Sequence, residues 1–232
     1  MAGKAKAILF DVDGTLVRAA GAGKEAMAVG LARAAGLSLD AARAIVEQID
    51  FRGCTDALLV EQMSARVGGR LTGQEARLIE AYLEALDETL AARQVELLPG
   101  VHTTLETLAR AGVTVGLLTG NVRAGARKKL SPFNLSHLTD APGGFGDDGR
   151  DRGAIARLAV ERLGRCGVEP TAVLIIGDTE HDVAAARAAG VAAATVATGW
   201  TPPDVLRAAA PDLHMNDLTD TTPLLAFLDG FP

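Results

Sequence analysis

The chain has 232 residues, a formal net charge of −6 and 48% apolar residues. This length accommodates one sizeable domain, or one domain that carries a smaller insertion, and the apolar content is enough for a buried core. The acidic balance disfavours a nucleic-acid-binding protein, because such proteins usually carry a basic face. No stretch approaches the ~18 consecutive apolar residues of a membrane-spanning helix, so we expect neither nucleic-acid binding nor membrane insertion.

The N-terminal segment and the cysteines indicate a cytoplasmic protein. The apolar run at residues 7–10 is too short for the core of a signal peptide. Cys54 and Cys166 lie far apart and in no metal-binding spacing, so we expect two reduced thiols. The histidines are not paired at helical spacing, which argues against a zinc site.

Short apolar segments alternate with helical patterns along most of the chain. Residues 7–10 are apolar throughout and stop at Asp11, which is typical of a strand covered on both faces in a parallel sheet. Strands that alternate with helices indicate βαβ crossovers and therefore a doubly wound, Rossmann-like parallel sheet of the α/β class. Further strands are predicted at residues 113–118, 136–139, 172–176 and 191–196.

Residues 23–93 show only helical patterns, with four helices predicted at 25–35, 40–48, 56–67 and 74–92. We therefore predict a core domain formed by residues 1–16 and 96–232, and an inserted all-helical domain at residues 17–95. Gly21 and Gly23, where the first linker meets the helical stretch, are predicted to form a flexible hinge. They do not complete a phosphate-binding Walker loop, because the outer positions of that motif are Arg18 and Glu25.

Polar side chains follow three of the predicted strands. In open α/β sheets, ligands bind beyond the carboxyl ends of the strands, so we expect these side chains to meet at one edge. Four carboxylates placed together repel one another unless a cation neutralises them, and oxygen ligands of this kind suit Mg²⁺. The residues are Asp11, Asp13, Thr119, Asn121, Asp178 and Asp182.

Three motifs in this set resemble those of the haloacid dehalogenase superfamily. The segment Asp11-Val12-Asp13-Gly14-Thr15 resembles the first motif, Asp-x-Asp-x-Thr. Thr119 resembles the second motif, and the acidic pair that follows Gly177, Asp178 and Asp182, resembles the fourth. The order and spacing agree over essentially the whole chain. The resemblance implies that the helical insertion is a cap placed between the first and second motifs.

The resemblance further implies a Mg²⁺-dependent phosphatase that works through an aspartyl-phosphate intermediate. Asp11 would be the nucleophile, and Asp13 would protonate the leaving oxygen and then activate water. Mg²⁺ would be bound by Asp11, by the backbone carbonyl of Asp13 and by Asp178, with Asp182 in direct or indirect contact. The implied partner is a small phosphorylated molecule, and the implied oligomeric state is a monomer or a homodimer.

The remaining motifs concern the phosphoryl group. Thr119 and the segment around Gly120 and Asn121 would hydrogen-bond its oxygens. The family usually supplies a lysine before the helix that precedes the fourth motif, and this chain has none there. Arg150 and Arg152 both fall in that region, and the spacing from the fourth motif favours Arg152, whose guanidinium supplies the same charge.

Several functions stay open within this resemblance. Asp13 disfavours the dehalogenating and phosphonate-cleaving branches, because both lack that residue. The cap type and the chain length resemble the phosphoglycolate phosphatase-like branch, which implies a small phosphomonoester such as phosphoglycolate, a sugar phosphate or a nucleotide. A phosphomutase of the same fold is an alternative, and a non-catalytic binding module is another.

Further residues have two interpretations. Four residues of the cap are candidates for substrate contact, although capping or solvated roles are the preferred interpretation for most of them: Lys24, Arg52, Thr55 and Asp56. Trp200 is predicted to pack in a loop near the cap interface. Four basic residues are predicted to form a solvated helix face or a local anion site: Arg123, Arg127, Lys128 and Lys129.

Overall fold

The computed structural model describes residues 5–231. The predicted core domain begins at residue 1 and ends at residue 232, so residues 1–4 and 232 of that prediction lie outside the described range. The strands are β1 (Ala7–Phe10), β2 (Val17–Arg18), β3 (Glu96–Leu97), β4 (Thr114–Leu117), β5 (Val173–Gly177), β6 (Ala192–Val196) and β7 (Leu213–Met215). The helices are α1 (Ala22–Ala35), α2 (Leu39–Glu47), α3 (Asp56–Arg66), α4 (Glu75–Ala91), α5 (Val101–Arg110), α6 (Arg123–Leu130), α7 (Arg152–Arg165), α8 (Glu180–Ala189), α9 (Pro203–Ala208) and α10 (Thr222–Asp229).

Five strands form one parallel sheet in the order β4-β1-β5-β6-β7. The chain runs from β1 to β4 on one side and then returns to β5 on the other side, so the direction of winding reverses at β1. Ligands of doubly wound sheets bind at such a reversal. The predicted fold class, a doubly wound parallel α/β sheet, is confirmed.

Helices cover both faces of the sheet because successive side chains of a strand point to opposite faces. Ile8 and Phe10 pack in an apolar cluster that contains residues of α5, α6 and α10. Ala7 and Leu9 pack in a second cluster, which contains residues of α7 and α8. All four side chains are fully buried, which explains why β1 is apolar throughout rather than alternating.

Helices α1–α4 supply most of a third apolar cluster, which includes Leu31, Leu78, Tyr82 and Leu86 and which the core residue Val122 joins. The two linkers of this helical insertion form an antiparallel ribbon, in which Val17 pairs with Leu97. Gly21 is the N-cap residue of α1 and Gly23 lies inside that helix. The two ends of the insertion therefore leave the core side by side.

Three elements of the structure differ from the sequence-based prediction. The predicted strand at residues 136–139 is wrong, because Ser136–Asp140 is a 3₁₀ helix. Strand β7 and helix α9 were not predicted. None of the helices between residues 5 and 231 has the length and apolarity that crossing a bilayer requires.

The packing of α1 against α4 makes a testable prediction at Gly30. A Cβ atom there would lie 2.7 Å from the backbone nitrogen of Tyr82, which is closer than real contacts allow. Gly30→Ala should lower the free energy of unfolding by about 1–2 kcal/mol, because overpacking outweighs the gain of about 1 kcal/mol in helix propensity. Urea denaturation measures the change.

Gly164→Ala is the matched control, since Gly164 lies in α7, is exposed and has open space around its Cβ position. It should leave stability unchanged or raise it by up to about 1 kcal/mol. Equal effects of the two substitutions would contradict the close contact between α1 and α4.

Candidate active site

Three buried aspartates meet beyond the carboxyl ends of adjacent strands. Asp11 follows β1, Asp178 follows β5 and Asp182 lies in the first turn of α8. Each offers a carboxylate oxygen, and these oxygens all lie within 4.8 Å of one another. The parallel register brings the two strand ends level, because Phe10 pairs with Ile176. The structure thus groups three of the four predicted acidic side chains.

Local contacts fix these carboxylates. Thr179 donates to one oxygen of Asp182 through its backbone N–H at 3.0 Å and its hydroxyl at 2.7 Å. Asp178 accepts a hydrogen bond from the Thr15 hydroxyl at 3.3 Å. Gly14, at φ 86°, lies so close to Asp178 that a Cβ atom would collide with its carboxylate. The glycine of the first motif therefore leaves the space that Asp178 occupies.

Arg152 faces two of the three aspartates from the start of α7. Its Nη2 donates to Asp11 Oδ1 at 2.9 Å and also to Asp182 Oδ1. Its buried Nε has no hydrogen-bond partner among residues 5–231. Arg150 is exposed and pairs with Glu61 at 3.1 Å, away from the aspartates. Of the two candidate arginines, it is Arg152 whose charge lies at the acidic cluster.

The electrostatics of the cluster suit a divalent cation. Burial, with smaller contributions from Asp182 and Asp13, raises the pKa of Asp11 to about 7 although Arg152 opposes the shift. Burial, followed by repulsion from Asp11 and Asp182, also raises the pKa of Asp178 well above its usual range. Three ionised carboxylates facing one guanidinium leave an excess of two negative charges, and their oxygen-only donor set matches Mg²⁺.

Asp13 does not join this cluster through its side chain. Its Oδ2 accepts hydrogen bonds from Lys129 Nζ at 2.6 Å and from Asn121 Nδ2 at 2.8 Å. The Asn121 amide also donates to Thr119 Oγ1 at 2.7 Å. The side chains at the ends of β1 and β4 therefore form one connected network. The role of the Asp13 backbone carbonyl as a metal ligand stays a prediction.

The segment after β4 lies directly against the helical insertion. Gly120 O accepts a hydrogen bond from the backbone N–H of Asp56 at 2.8 Å, and the Asp56 carboxylate accepts one from Val122 N–H at 2.8 Å. Burial raises the pKa of Asp56 to about 6, although Lys129 opposes the shift. Thr55 caps α3 by accepting from Leu58 N–H at 3.2 Å. Thr55 thus has the capping role that the sequence also allowed, whereas Asp56 is neither a cap nor solvated. Asp56 also lines the cavity described next, so its contact with substrate stays a prediction.

A cavity of about 280 Å³ separates the acidic cluster from the helical insertion. Asp11, Asp13 and Thr119 line it from the core, whereas Met27 and Phe51 line it from the insertion. Lys24 and Arg52 also line it, but each is paired with a carboxylate, Glu47 at 3.0 Å and Asp50 at 2.8 Å respectively. The cavity therefore combines an acidic floor with partly apolar walls.

Two sequence-based interpretations at this cavity were wrong. Trp200 does not pack in a loop, because 84% of it is exposed at the rim of the cavity. For Lys129 the solvated-face alternative is wrong, because this residue is only 4% exposed and contacts Asp13. The alternative of a local anion site stays a prediction. The available signal was positional: Lys129 lies beside Leu130 and three residues after Ala126, both of which are buried.

Comparisons with known proteins agree with this geometry. A family profile of haloacid dehalogenase-like hydrolases matches residues 5–190. A phosphoglycolate phosphatase of Synechococcus elongatus is 32% identical over 219 residues, covering 93% of this chain and 94% of that protein. A phosphoglycolate phosphatase of Rhodospirillum rubrum is 32% identical over 203 residues, covering 84% of this chain and 81% of that protein.

Solved structures share the fold. A hydrolase from Pseudomonas syringae superposes with a TM-score of 0.70 at 23% identity, covering 97% of this chain and 98% of that one. CbbY from Rhodobacter sphaeroides, solved in complex with phosphate, gives a TM-score of 0.71 at 20% identity, covering 97% of this chain and 99% of that one. The chain belongs to the haloacid dehalogenase-like hydrolase family.

The raised pKa of Asp11 predicts how stability depends on pH in protein freed of divalent cations. Between the ordinary pKa of 3.8 and about 7, the folded state holds a proton at Asp11 that the unfolded state has lost, so stability falls as pH rises. Asp11→Asn removes this effect and should raise the free energy of unfolding at pH 8 by on the order of 2 kcal/mol. Urea denaturation at pH 4–8 measures it.

Asp148→Asn provides the control of opposite sign. Hydrogen bonds from Arg162 lower the pKa of Asp148, so this carboxylate stabilises the fold above its ordinary pKa and loses that effect as the pH falls. The control variant should be less stable than the wild type at pH 8. Changes of the same sign in the two variants would contradict this account of Asp11.

Proposed function

We propose that the protein is a cytoplasmic, Mg²⁺-dependent phosphatase that hydrolyses a small-molecule phosphomonoester through an aspartyl-phosphate intermediate on Asp11. The observation that carries the proposal is the position of Asp11. It is buried among Asp178, Asp182 and Arg152, and it lines a cavity that Asp13 also lines. A carboxylate nucleophile with a second carboxyl group beside it suits phosphoryl transfer.

The two aspartates of the first motif divide the reaction between them. A carboxylate oxygen of Asp11 forms a bond to phosphorus while the bond between phosphorus and the leaving oxygen breaks. Asp13 gives its proton to that oxygen and then takes a proton from the water that attacks phosphorus. Phosphate is released and Asp11 is regenerated. Arg152 holds Asp11 in place through the hydrogen bond at 2.9 Å. Its positive charge also opposes the rise in the pKa of Asp11 that burial causes.

The segment after β4 would bind the phosphoryl oxygens. Thr119 Oγ1 accepts hydrogen bonds from Asn121 Nδ2 at 2.7 Å and Asn121 N–H at 3.3 Å. Its own hydroxyl proton therefore points to a third partner, and a phosphoryl oxygen in the cavity suits it. The backbone N–H of Gly120 would add a further donor. The side chain and the backbone N–H of Asn121 both donate to Thr119 Oγ1, so Asn121 would contribute by orienting that hydroxyl.

The acidic cluster would hold the metal ion. Asp11 and Asp178 supply carboxylate oxygens, the backbone carbonyl of Asp13 supplies another oxygen, and Asp182 is in direct or indirect contact. Bound there, Mg²⁺ would offset the negative charges of Asp11 and the phosphoryl group, which otherwise repel each other.

We propose that residues 17–95 are a cap domain on a core formed by residues 1–16 and 96–232. Three observations support this division: the apolar cluster formed mainly by α1–α4, the paired linkers β2 and β3, and the cavity beneath the helices. Such a cap excludes water from the reaction and limits the size of the leaving group.

The substrate is proposed to be phosphoglycolate or a phosphomonoester of similar size. Two relatives named phosphoglycolate phosphatase support this class, and each aligns with most of the chain. The cavity of about 280 Å³ is at the small end for ligand sites.

The proposed cytoplasmic location agrees with the state of the cysteines. Cys54 and Cys166 are both free thiols, as expected in a reducing compartment.

The first experiment is hydrolysis of p-nitrophenyl phosphate with Mg²⁺ and after chelation, using the wild type and Asp11→Asn. Chelation and the substitution should each abolish release of p-nitrophenol, because both remove a group required for the first bond to phosphorus. Asp140→Asn, an exposed surface change, is the control and should retain wild-type activity. A panel with phosphoglycolate, sugar phosphates and nucleotides then ranks substrates by kcat/KM.

Activity that survives in Asp11→Asn would contradict the covalent mechanism. A folded wild-type protein that binds Mg²⁺ but releases no phosphate from any compound would instead favour the phosphomutase or binding-module alternative. Mass spectrometry of acid-quenched protein, with Asp11→Asn as the blank, tests the phosphorylated intermediate directly.

Arg152 makes a separate prediction. Arg152→Met removes the charge beside Asp11 and should lower kcat/KM about 10²–10³-fold, as loss of a charged group that contacts the reacting atoms does. Arg152→Lys restores the charge and should recover part of the loss. The exposed Arg150→Met variant should keep kcat/KM within about threefold of the wild type. A larger loss from Arg150→Met than from Arg152→Met would contradict this role.

A further inference from the structure

Lys129 is a buried cation that the proposed reaction does not yet use. It lies on the inward face of α6 with Gly125, Ala126 and Leu130. The insertion covers it: a Cβ atom at Gly23 would lie 3.3 Å from its Nζ. Burying an ammonium is unfavourable unless it is paired and hydrogen-bonded. The contacts that Lys129 makes are therefore what keeps its charge beside the cavity.

The chemistry of lysine fixes the orientation of its neighbours. Lys129 Nζ lies 2.7 Å from the Asn121 side chain and 2.6 Å from Asp13 Oδ2. An ammonium only donates, so the Asn121 atom that faces it must be the carbonyl oxygen. The Asn121 NH₂ group must then face Asp13 and Thr119, at 2.8 and 2.7 Å. The hydrogen-bond directions in this network therefore have a single solution.

We propose that Lys129 and Asn121 form a clamp that positions Asp13 as the proton donor, an inference that rests on the proposed function. Both clamp residues donate to Oδ2, so that oxygen is an acceptor and cannot also carry the transferable proton. Hydrogen bonds to the Asp13 carboxylate from residues 5–231 reach Oδ2 alone. The clamp leaves Oδ1 to carry the proton to the leaving oxygen.

Orientation matters at this position because Asp13 is otherwise loosely held. Its side chain is 41% exposed and lines the cavity. Without the clamp it would rotate between staggered rotamers, and proton transfer requires hydrogen-bond distance and alignment. Asn121 also contacts Thr119 Oγ1, so the clamp joins the proton donor to the hydroxyl that would bind the phosphoryl group. Lys129 is thus a positioning residue.

The dependence of rate on the leaving group tests the clamp. Ring-substituted phenyl phosphates are matched in size but differ in how far the departing oxygen needs a proton. For Lys129→Met, kcat/KM should fall at least about tenfold more with unsubstituted phenyl phosphate than with p-nitrophenyl phosphate, since general acid catalysis contributes about 10²–10⁴-fold. kcat/KM is the right quantity because it reports the steps up to departure of the leaving group.

Two further variants complete the experiment. Lys129→Arg retains a charged donor and should recover most of the lost leaving-group discrimination. Arg127→Met, on the exposed side of the same helix, should match the wild type with every substrate. Comparing substrates within one variant cancels any loss of folded protein, which would lower all rates by the same factor.

The outcomes separate the clamp from the proposed function. An equal loss of kcat/KM across the series in Lys129→Met, or no loss, would overturn the clamp while leaving the phosphatase in place. A wild-type protein without phosphatase activity would overturn the proposed function and the clamp together. A steeper leaving-group dependence in Lys129→Met that Lys129→Arg reverses is the expected result.

Discussion

Repulsion among buried carboxylates is the constraint on which the rest of this site depends. The parallel pairing of β1 with β5 places the ends of the two strands side by side, so that Asp11 and Asp178 follow neighbouring strand ends, and the first turn of α8 adds Asp182. Removing three such groups from water is unfavourable unless opposite charge is supplied. Arg152 supplies part of it, and a divalent cation is the natural source of the rest. The fold therefore concentrates negative charge at the point where the proposed mechanism brings an anionic substrate.

Two aspartates that are two residues apart in sequence have different surroundings at this edge of the sheet. Asp11 lies deep in the cluster and faces Arg152, whereas Asp13 lies at the cavity and faces Lys129. One cation is thus assigned to each carboxylate. This division suits a reaction in which one carboxylate attacks phosphorus and the other handles protons.

The parts of the fold that could be predicted are those that local sequence determines. Strands β1, β4 and β5 are apolar runs that end in polar motifs, and such runs have a single interpretation in a covered parallel sheet. β7 escaped prediction because it is short and half-polar, and its His214 is explained only by the contact with Thr195. The strand predicted near Thr139 was wrong because buried residues there belong to a 3₁₀ helix.

Prediction of the site was limited in the same way. The aspartates were predicted because the order and spacing of their motifs can be recognised in the sequence itself. Lys129 escaped because the pair Lys128-Lys129 resembles a solvated face, and the contacts with Asp13 and Asn121 that distinguish the two lysines exist only in three dimensions. The prediction for Trp200 failed in the other direction: this residue was expected to be packed, because large aromatic side chains are usually buried, but it is exposed.

The ribbon of β2 and β3 has a consequence for how such a protein can change. The insertion enters and leaves the core through two hydrogen-bonded strands, with Val17 beside Leu97. The two ends of the insertion are neighbours in space. Residues can therefore be added to it, removed from it or replaced without moving the sheet, because the core requires only that these two ends stay close together. The residues around Asp11 and the shape of the cavity above them can therefore evolve independently. A protein of this architecture can acquire new substrates through changes in the helical insertion alone.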